Sequence, residues 1–149
     1  MLLSRASQYT LQALIYLARQ PRERRVMVKE IADSLHLPQY YLSKLIQPPT
    51  RAGWLTTVRG RGGGMRLNPG GEHITMFDIL QLTEGGRVTR ECLLGFKDCA
   101  DDSACVLHCQ WKPIKQELSE GLGGHSLASL AEAALPPWLL GGLEDGKAQ

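Results

Sequence analysis

Apolar residues recur at Leu11, Leu14, Ile15 and Ala18, the three-and-four spacing of one helical face, with Ser4 or Ser7 available as an N-cap. A helix is therefore predicted over residues 6–19. The polar, arginine-rich stretch Gln20–Arg25 reads as a loop, and Val28–Leu35 as a short amphipathic helix. Pro38 disfavours helical backbone at Leu37 but can open a helix of its own, so His36-Leu37-Pro38 is a turn. Residues 39–47 form the next helix, with Tyr41, Leu42, Leu45 and Ile46 on its apolar side. Pro48-Pro49 should end or kink it before Arg51-Ala52-Gly53.

The period then changes. Trp54–Arg59 reads as a strand with β-branched alternation, Gly60–Gly64 as a flexible turn, and Met65–Asn68 as the returning strand. A short helix follows at 75–83, capped by Thr75 and ended by Gly85-Gly86. Residues 90–104 are loop-like and carry Cys92 and Cys99. From about Ser103 a longer helix is expected, with Val106, Trp111, Ile114 and Leu118 on an apolar stripe running to Gly121. Leu127–Leu135 is a last helical piece, and the tail from Pro136, with Trp138 and Leu139-Leu140, is irregular.

Two short helices across a tight turn, followed directly by a hairpin, make a winged helix-turn-helix in a mostly α chain. The second helix carries Gln39, Tyr40, Ser43 and Lys44 outward, where they can reach base edges or phosphates in a major groove. Tyr40 is equally open to a packing role. The glycine-rich hairpin tip carries Arg59 and Arg61, guanidinium groups for the minor groove or its phosphates. The same glycines could suggest a phosphate loop, but no Gly-Lys-Ser/Thr closes the run and no helix opens behind it.

Charge supports the polyanion reading once it is divided. Residues 1–75 hold 11 Lys/Arg against 4 Asp/Glu, whereas residues 76–149 hold 6 against 11. The basic half suits a nucleic acid and the acidic half another task. With 43% hydrophobic and 21% charged residues the chain is an ordinary globular protein. No run approaches the roughly 18 apolar residues of a membrane span, and the quickly charged N-terminus is no secretory signal, so a soluble cytoplasmic protein is expected.

All four cysteines lie between 92 and 109, in the pattern Cys92-x6-Cys99-x5-Cys105-x2-His108-Cys109. Clustered cysteines in a cytosolic chain point to metal or redox chemistry more than to disulfides. If the helix covers them, Cys105, His108 and Cys109 share one face. Soft thiolates select an iron–sulfur cluster, zinc or copper(I). Spacing leaves open an iron–sulfur centre, zinc, a metal-free thiol switch and coincidence. His108 alone could be a helix-surface residue. His36, His73 and His125 have no such company, Trp54 and Trp111 read as packing, and Asp98, Asp101 and Asp102 as a solvated loop surface.

Taken together, the chain resembles the winged-helix regulators of iron–sulfur and nitric-oxide sensing typified by IscR and NsrR. The residues carrying the likeness are Ser7-Gln8-Tyr9, Ile31-Ala32, Tyr41-Leu42, the wing Val58–Gly64, and Cys105-x2-His108-x2-Trp111. Cys109 is an extra thiol, and Gln8 stands where some relatives offer a carboxylate. The resemblance implies an iron–sulfur cluster, 2Fe–2S or else 4Fe–4S, on Cys92, Cys99, Cys105 and His108, with Cys109 as the alternative fourth ligand. It also implies a homodimer formed by the long C-terminal helix, each cluster near the partner's first helix, and a pseudo-palindromic double-stranded DNA operator. The expected organisation is a DNA-binding domain at 1–83, a cluster loop at 84–104, dimerisation helices at 105–135 and a tail at 136–149. A cluster-free thiol or zinc regulator is one rival; an iron–sulfur enzyme or electron carrier is another, for which no substrate-site constellation is present.

Overall fold

The computed structural model describes residues 3–92, 94, 95, 99, 101 and 104–133. The expected tail with Trp138 and Leu139-Leu140 lies outside these residues, as do Ser103, Leu135, Asp98 and Asp102. The chain folds as a mostly helical winged helix-turn-helix with one two-stranded antiparallel sheet.

Helix α1 (Arg5–Ala18) is capped by Ser4, whose hydroxyl accepts the Ser7 N–H at 3.2 Å. Its buried side, including Thr10, Ala13, Leu14 and Leu17, packs against α3 (Gln39–Leu45), α5 (Met76–Glu84) and α8 (Leu127–Glu132). Leu14, Ile31, Leu42, Met65, Ile79 and Leu127 are the large side chains sealed at the centre. Each such burial is worth roughly 1.5–3 kcal/mol, so helices and wing share one core.

Helix α2 (Val28–Ser34) leads to α3 through a turn closed on its backbone. Leu37 N–H donates to the Ala32 carbonyl at 2.8 Å and His36 N–H to Asp33 at 3.3 Å, with His36 itself at φ 51. This is a Schellman turn with a histidine where glycine usually sits. The proline pair acts as expected: α3 ends at Leu45, and a separate α4 (Gln47–Arg51) begins with prolines in its first turn, where a missing N–H costs nothing.

Strands β1 (Leu55–Val58) and β2 (Gly64–Leu67) pair from Leu55–Leu67 to Val58–Gly64. Val26 adds an unforeseen isolated bridge to β2, exchanging two 2.8 Å hydrogen bonds with Met65. The turn expected to be flexible is closely specified. A Cβ at Gly63 would stand 2.3 Å from the Val58 carbonyl oxygen, and one at Gly64 2.8 Å from that of Val26. Gly64 also has φ 138, outside the reach of most side chains.

Helix α5 opens with a reciprocal capping box between Thr75 and Asp78 and ends at Gly85 in the left-handed region. Its terminal Glu84 accepts the Ser4 N–H at 2.9 Å and is also hydrogen-bonded by the Ser7 hydroxyl. The Ser4 and Ser7 hydrogen bonds hold the Glu84 carboxyl below the usual carboxylate range. Two further helices follow, α6 (Arg87–Arg90) and α7 (His108–Gly123).

Helix α7 begins later than its hydrophobic pattern suggested. Ala104–Leu107 are non-helical, so Cys105 precedes the helix and does not share its face with His108 and Cys109. Among the described residues no side chain caps the helix start, and Val106 is exposed instead of joining the apolar stripe. Behind α7 the chain returns to the core. Met76 N–H meets the His125 carbonyl and Leu127 N–H that of Ile74, both at 2.8 Å, while Arg19 Nε and Nη2 donate to the Ala131 and Ala133 carbonyls at 3.1 and 2.9 Å.

Candidate DNA interface and sensing centre

A groove runs between the end of the helix-turn-helix and the wing. Gln39, Ser43 and Arg59 line it, as the sequence led us to expect of a reading surface. Ser43 donates its hydroxyl proton to the Gln39 carbonyl at 2.8 Å, which leaves its oxygen as an acceptor. Tyr40 is 70% exposed, so it is a surface group and not a packing one. Lys44 places its ammonium 5.9 Å from the Tyr40 ring centroid, within cation–π range, on the flank of α3 beside the residues that line the groove. Arg59 and Arg61 are both exposed on the wing, Arg61 at its tip and outside the groove lining.

Sequence reasoning missed Lys29, Gln47, Thr50 and Arg51, which also line the groove. The signal was present in the basic first half. For Gln47, Thr50 and Arg51 it was hidden because the sequence gives no sign that a helix of its own follows at the Pro48-Pro49 break and turns them toward the wing, while Lys29 stands on α2.

The second candidate site lies at the thiol end of α7. Gly85 and Gly86 redirect the chain, and α6 carries it to Cys92, which is buried. Trp111 on α7 pins the approach by donating its indole N–H to the Glu91 carbonyl at 3.2 Å. It is half-buried, so its anticipated packing role comes with a polar handle. Gly95 N–H returns to the Cys92 carbonyl at 3.0 Å, closing a turn beside the thiol.

His108 is only 5% exposed, which removes the surface-histidine reading. Its Nδ1 lies 3.3 Å from Cys99 Sγ and its Nε2 2.8 Å from Asp101 Oδ1. Lys112 Nζ reaches both Asp101 oxygens at 2.8 Å. The Lys112 hydrogen bond first, and that of His108 second, hold the Asp101 carboxyl below the usual range. Asp101, read from sequence as a solvated surface group, is therefore tied to α7. Nothing local foretells this, because a loop carboxylate and a helix residue seven positions apart meet only through the fold.

Of the sequence-derived ligands, the structure brings Cys99 and His108 into contact. Cys105 stands half-buried one turn earlier, its carbonyl accepting the His108 N–H at 3.0 Å, while Cys109 is exposed. The donor set is soft and compatible with an iron–sulfur group. If Nε2 carries the proton toward Asp101, the imidazole lone pair lies on Nδ1, facing Cys99, and a carboxylate behind a histidine is a usual support for a ligand. Among the described residues, no three Cys, His, Asp or Glu side chains converge on a single point.

Residues 3–133 match the family model described as Rrf2, iron-dependent transcriptional regulator. The chain belongs to the Rrf2 family. It is a DNA-binding transcription regulator and not an enzyme. It is 32% identical to the HTH-type transcriptional regulator NsrR of Bacillus licheniformis, covering 84% of this chain and 83% of that protein. The structure of CymR, the global cysteine regulator of B. subtilis, superposes with a TM-score of 0.69 at 29% identity, over 87% of this regulator and 95% of that chain. IscR of T. potens gives a TM-score of 0.65 at 26% identity, over 91% and 94%. Among the described residues no helix is long and apolar enough to cross a membrane.

Proposed function

We propose that this regulator senses through an iron–sulfur cluster on Cys92, Cys99, Cys105 and His108, whose state sets its affinity for a two-fold DNA operator. The observation that carries the reading is the Cys99–His108 contact at 3.3 Å, with the far ring nitrogen of His108 held by Asp101. A histidine serving only to fill space has no use for both a thiol and an orienting carboxylate. The bound cluster would supply one-electron and nitric-oxide-reactive chemistry. The chain's own part is to orient the imidazole through Asp101 and Lys112 and to shield the thiol of Cys92 by burial. The family's iron dependence supports the same reading.

Residues 1–83 would read DNA, 84–104 would form the cluster loop, completed by Cys105 and His108, and 105–135 would join two copies, with α8 also completing the core of its own chain. Ile114, half exposed on α7, suits a homodimer. Gln39, Tyr40, Ser43 and Lys44 would meet the major groove, and Arg59 and Arg61 the wing's backbone contacts.

Absorption spectra of anaerobically purified protein, with iron and sulfide analysis, test the proposal. Serine at Cys92, Cys99 or Cys105 should abolish the cluster. His108→Cys should keep one at lower potential, because imidazole in place of thiolate raises potential. Cys109→Ala should leave the spectrum unchanged. If Cys109→Ala bleaches the protein and His108→Ala does not, Cys109 is the fourth ligand. A cluster-free thiol-switch regulator is the second reading, in keeping with the lack of three converged donors among the described residues, and iron-free protein with thiol-dependent DNA binding would establish it.

A further inference from the structure

Large apolar side chains scattered singly over a surface carry no message, but two that share one groove with cationic rims do. Met27 is 52% exposed and Val58 39% exposed, and both line the groove between the helix-turn-helix and the wing. The backbone explains their juxtaposition. Val58 stands opposite Gly64 in the β1–β2 register, and the Val26 backbone fills the space that a Gly64 side chain would need. Met27 follows Val26 in extended conformation, so its side chain turns away from that of the buried Val26 and toward the groove. Met27 and Val58 therefore flank Gly64 from its two sides, with no Gly64 side chain between them.

The walls of the groove indicate what passes along it. Gln39 and Ser43 stand on the α3 side and Arg59 on the wing side, while Lys29 and Arg51 add exposed cations from α2 and α4. In a duplex, one sugar–phosphate strand separates the major groove from the minor. With α3 in the first and the wing at the second, that strand runs along the protein groove between them. The cations suit its phosphates. The deoxyribose rings remain, and their C2′ carbon carries only hydrogen.

We propose that Met27 and Val58 form an apolar seat for the deoxyribose rings of that strand, between phosphates met by Lys29, Arg51 and Arg59. This rests on the placement of α3 and the wing on DNA proposed above. Taking the C–H face of a sugar and two apolar side chains out of water together favours the seated strand without neutralising any charge. The seat also discriminates. A 2′-hydroxyl pressed against Met27 or Val58 loses its water and gains no partner, so the strand is accepted as DNA and penalised as RNA.

The probe for the test is a duplex selected by the wild-type protein from a random library. Met27→Gln and Val58→Thr keep side-chain size while making the seat polar, and thermal melts check that both variants fold. Each should weaken binding by roughly fivefold, the scale of one lost apolar contact. Neither should change the slope of log affinity against log salt, because no phosphate contact is lost. Lys29→Ala should lower that slope by about one. Single ribonucleotides are then placed in turn along each strand. At adjacent sugars in each half-site the ribonucleotide should weaken wild-type binding several-fold. A 2′-fluoro sugar, which shares the ribose pucker but donates no hydrogen bond, should be tolerated there. Val58→Thr and Met27→Gln should lessen the ribonucleotide penalty. Variants that bind as tightly as wild type, a flat scan, or a penalty that both variants leave untouched would each overturn the proposal. Unchanged slopes for Lys29→Ala and Arg59→Ala overturn the placement on DNA, and this inference with it. Lowered slopes beside a flat scan overturn this inference alone.

Discussion

The helix-turn-helix with its wing and the thiol end of α7 are built by different means. In the helix-turn-helix and wing, backbone geometry does most of the specifying. Gly63 and Gly64 fit where no other residue could, Val26 and Met65 exchange hydrogen bonds, and the turn between α2 and α3 closes through main-chain groups. At the thiol end of α7 the fixed points are side chains reaching across the sequence. Cys99 meets His108, His108 meets Asp101, and Lys112 closes the group. The first arrangement holds a shape whatever its surroundings. The second depends on the charges that its side chains bring together.

The largest effect should come from attacking the backbone-built half. Gly64→Ala forces a Cβ against the Val26 carbonyl at a positive φ. A loss of about 2 kcal/mol or more is expected in urea unfolding. Asp101→Asn, at the side-chain-built end, should cost under about 0.5 kcal/mol in the same experiment, because Asp101 is exposed. Equal losses would erase the distinction.

Glu84 lies between the two regions and gives an effect of about 1 kcal/mol, less than a fully buried hydrogen-bonded charge because solvent screens it. Its folded carboxyl titrates below the ordinary value of 4.5 because Ser4 and Ser7 donate to it. A depressed folded value means that the stabilisation is fully present above pH 4.5 and is lost as the pH falls through the folded value. Thermal melts between pH 6 and 3 should therefore show wild type losing its advantage over Glu84→Gln on acidification. A difference that stays constant with pH would refute this origin.

The smallest change concerns the wing and leaves the fold intact. Arg59→Ala and Arg61→Ala should each reduce the slope of log affinity against log salt by about one, with little sequence preference in the loss. An unchanged slope would separate the wing from the DNA backbone.

Features fixed by near neighbours in sequence were legible. The stripe through Leu11, Leu14 and Ile15, the Thr75 cap and the Pro48-Pro49 break all appear in the fold as expected. What escaped was set by distant partners. The start of α7 at His108, the tie from Asp101 to α7 and the bridge between Val26 and Met65 each depend on residues brought together only by folding. The burial of Lys115 is of the same kind, since its i+7 spacing from His108 describes a face but not what covers it.

The two attachments of α7 have a mechanical consequence. At its front, the Trp111 indole grips the Glu91 carbonyl; behind it, Leu127 is sunk in the core and the Ile74 and His125 backbones are tied to their neighbours. A beam fixed at both ends cannot swing like a lever. It can transmit a disturbance at the thiol end only as twist about its length or thrust along it. Either load arrives at the opening turn of α5 and, through Leu127, at the flank of α1. The α2–α3 pair, resting on α1, would then be re-aimed as one rigid piece.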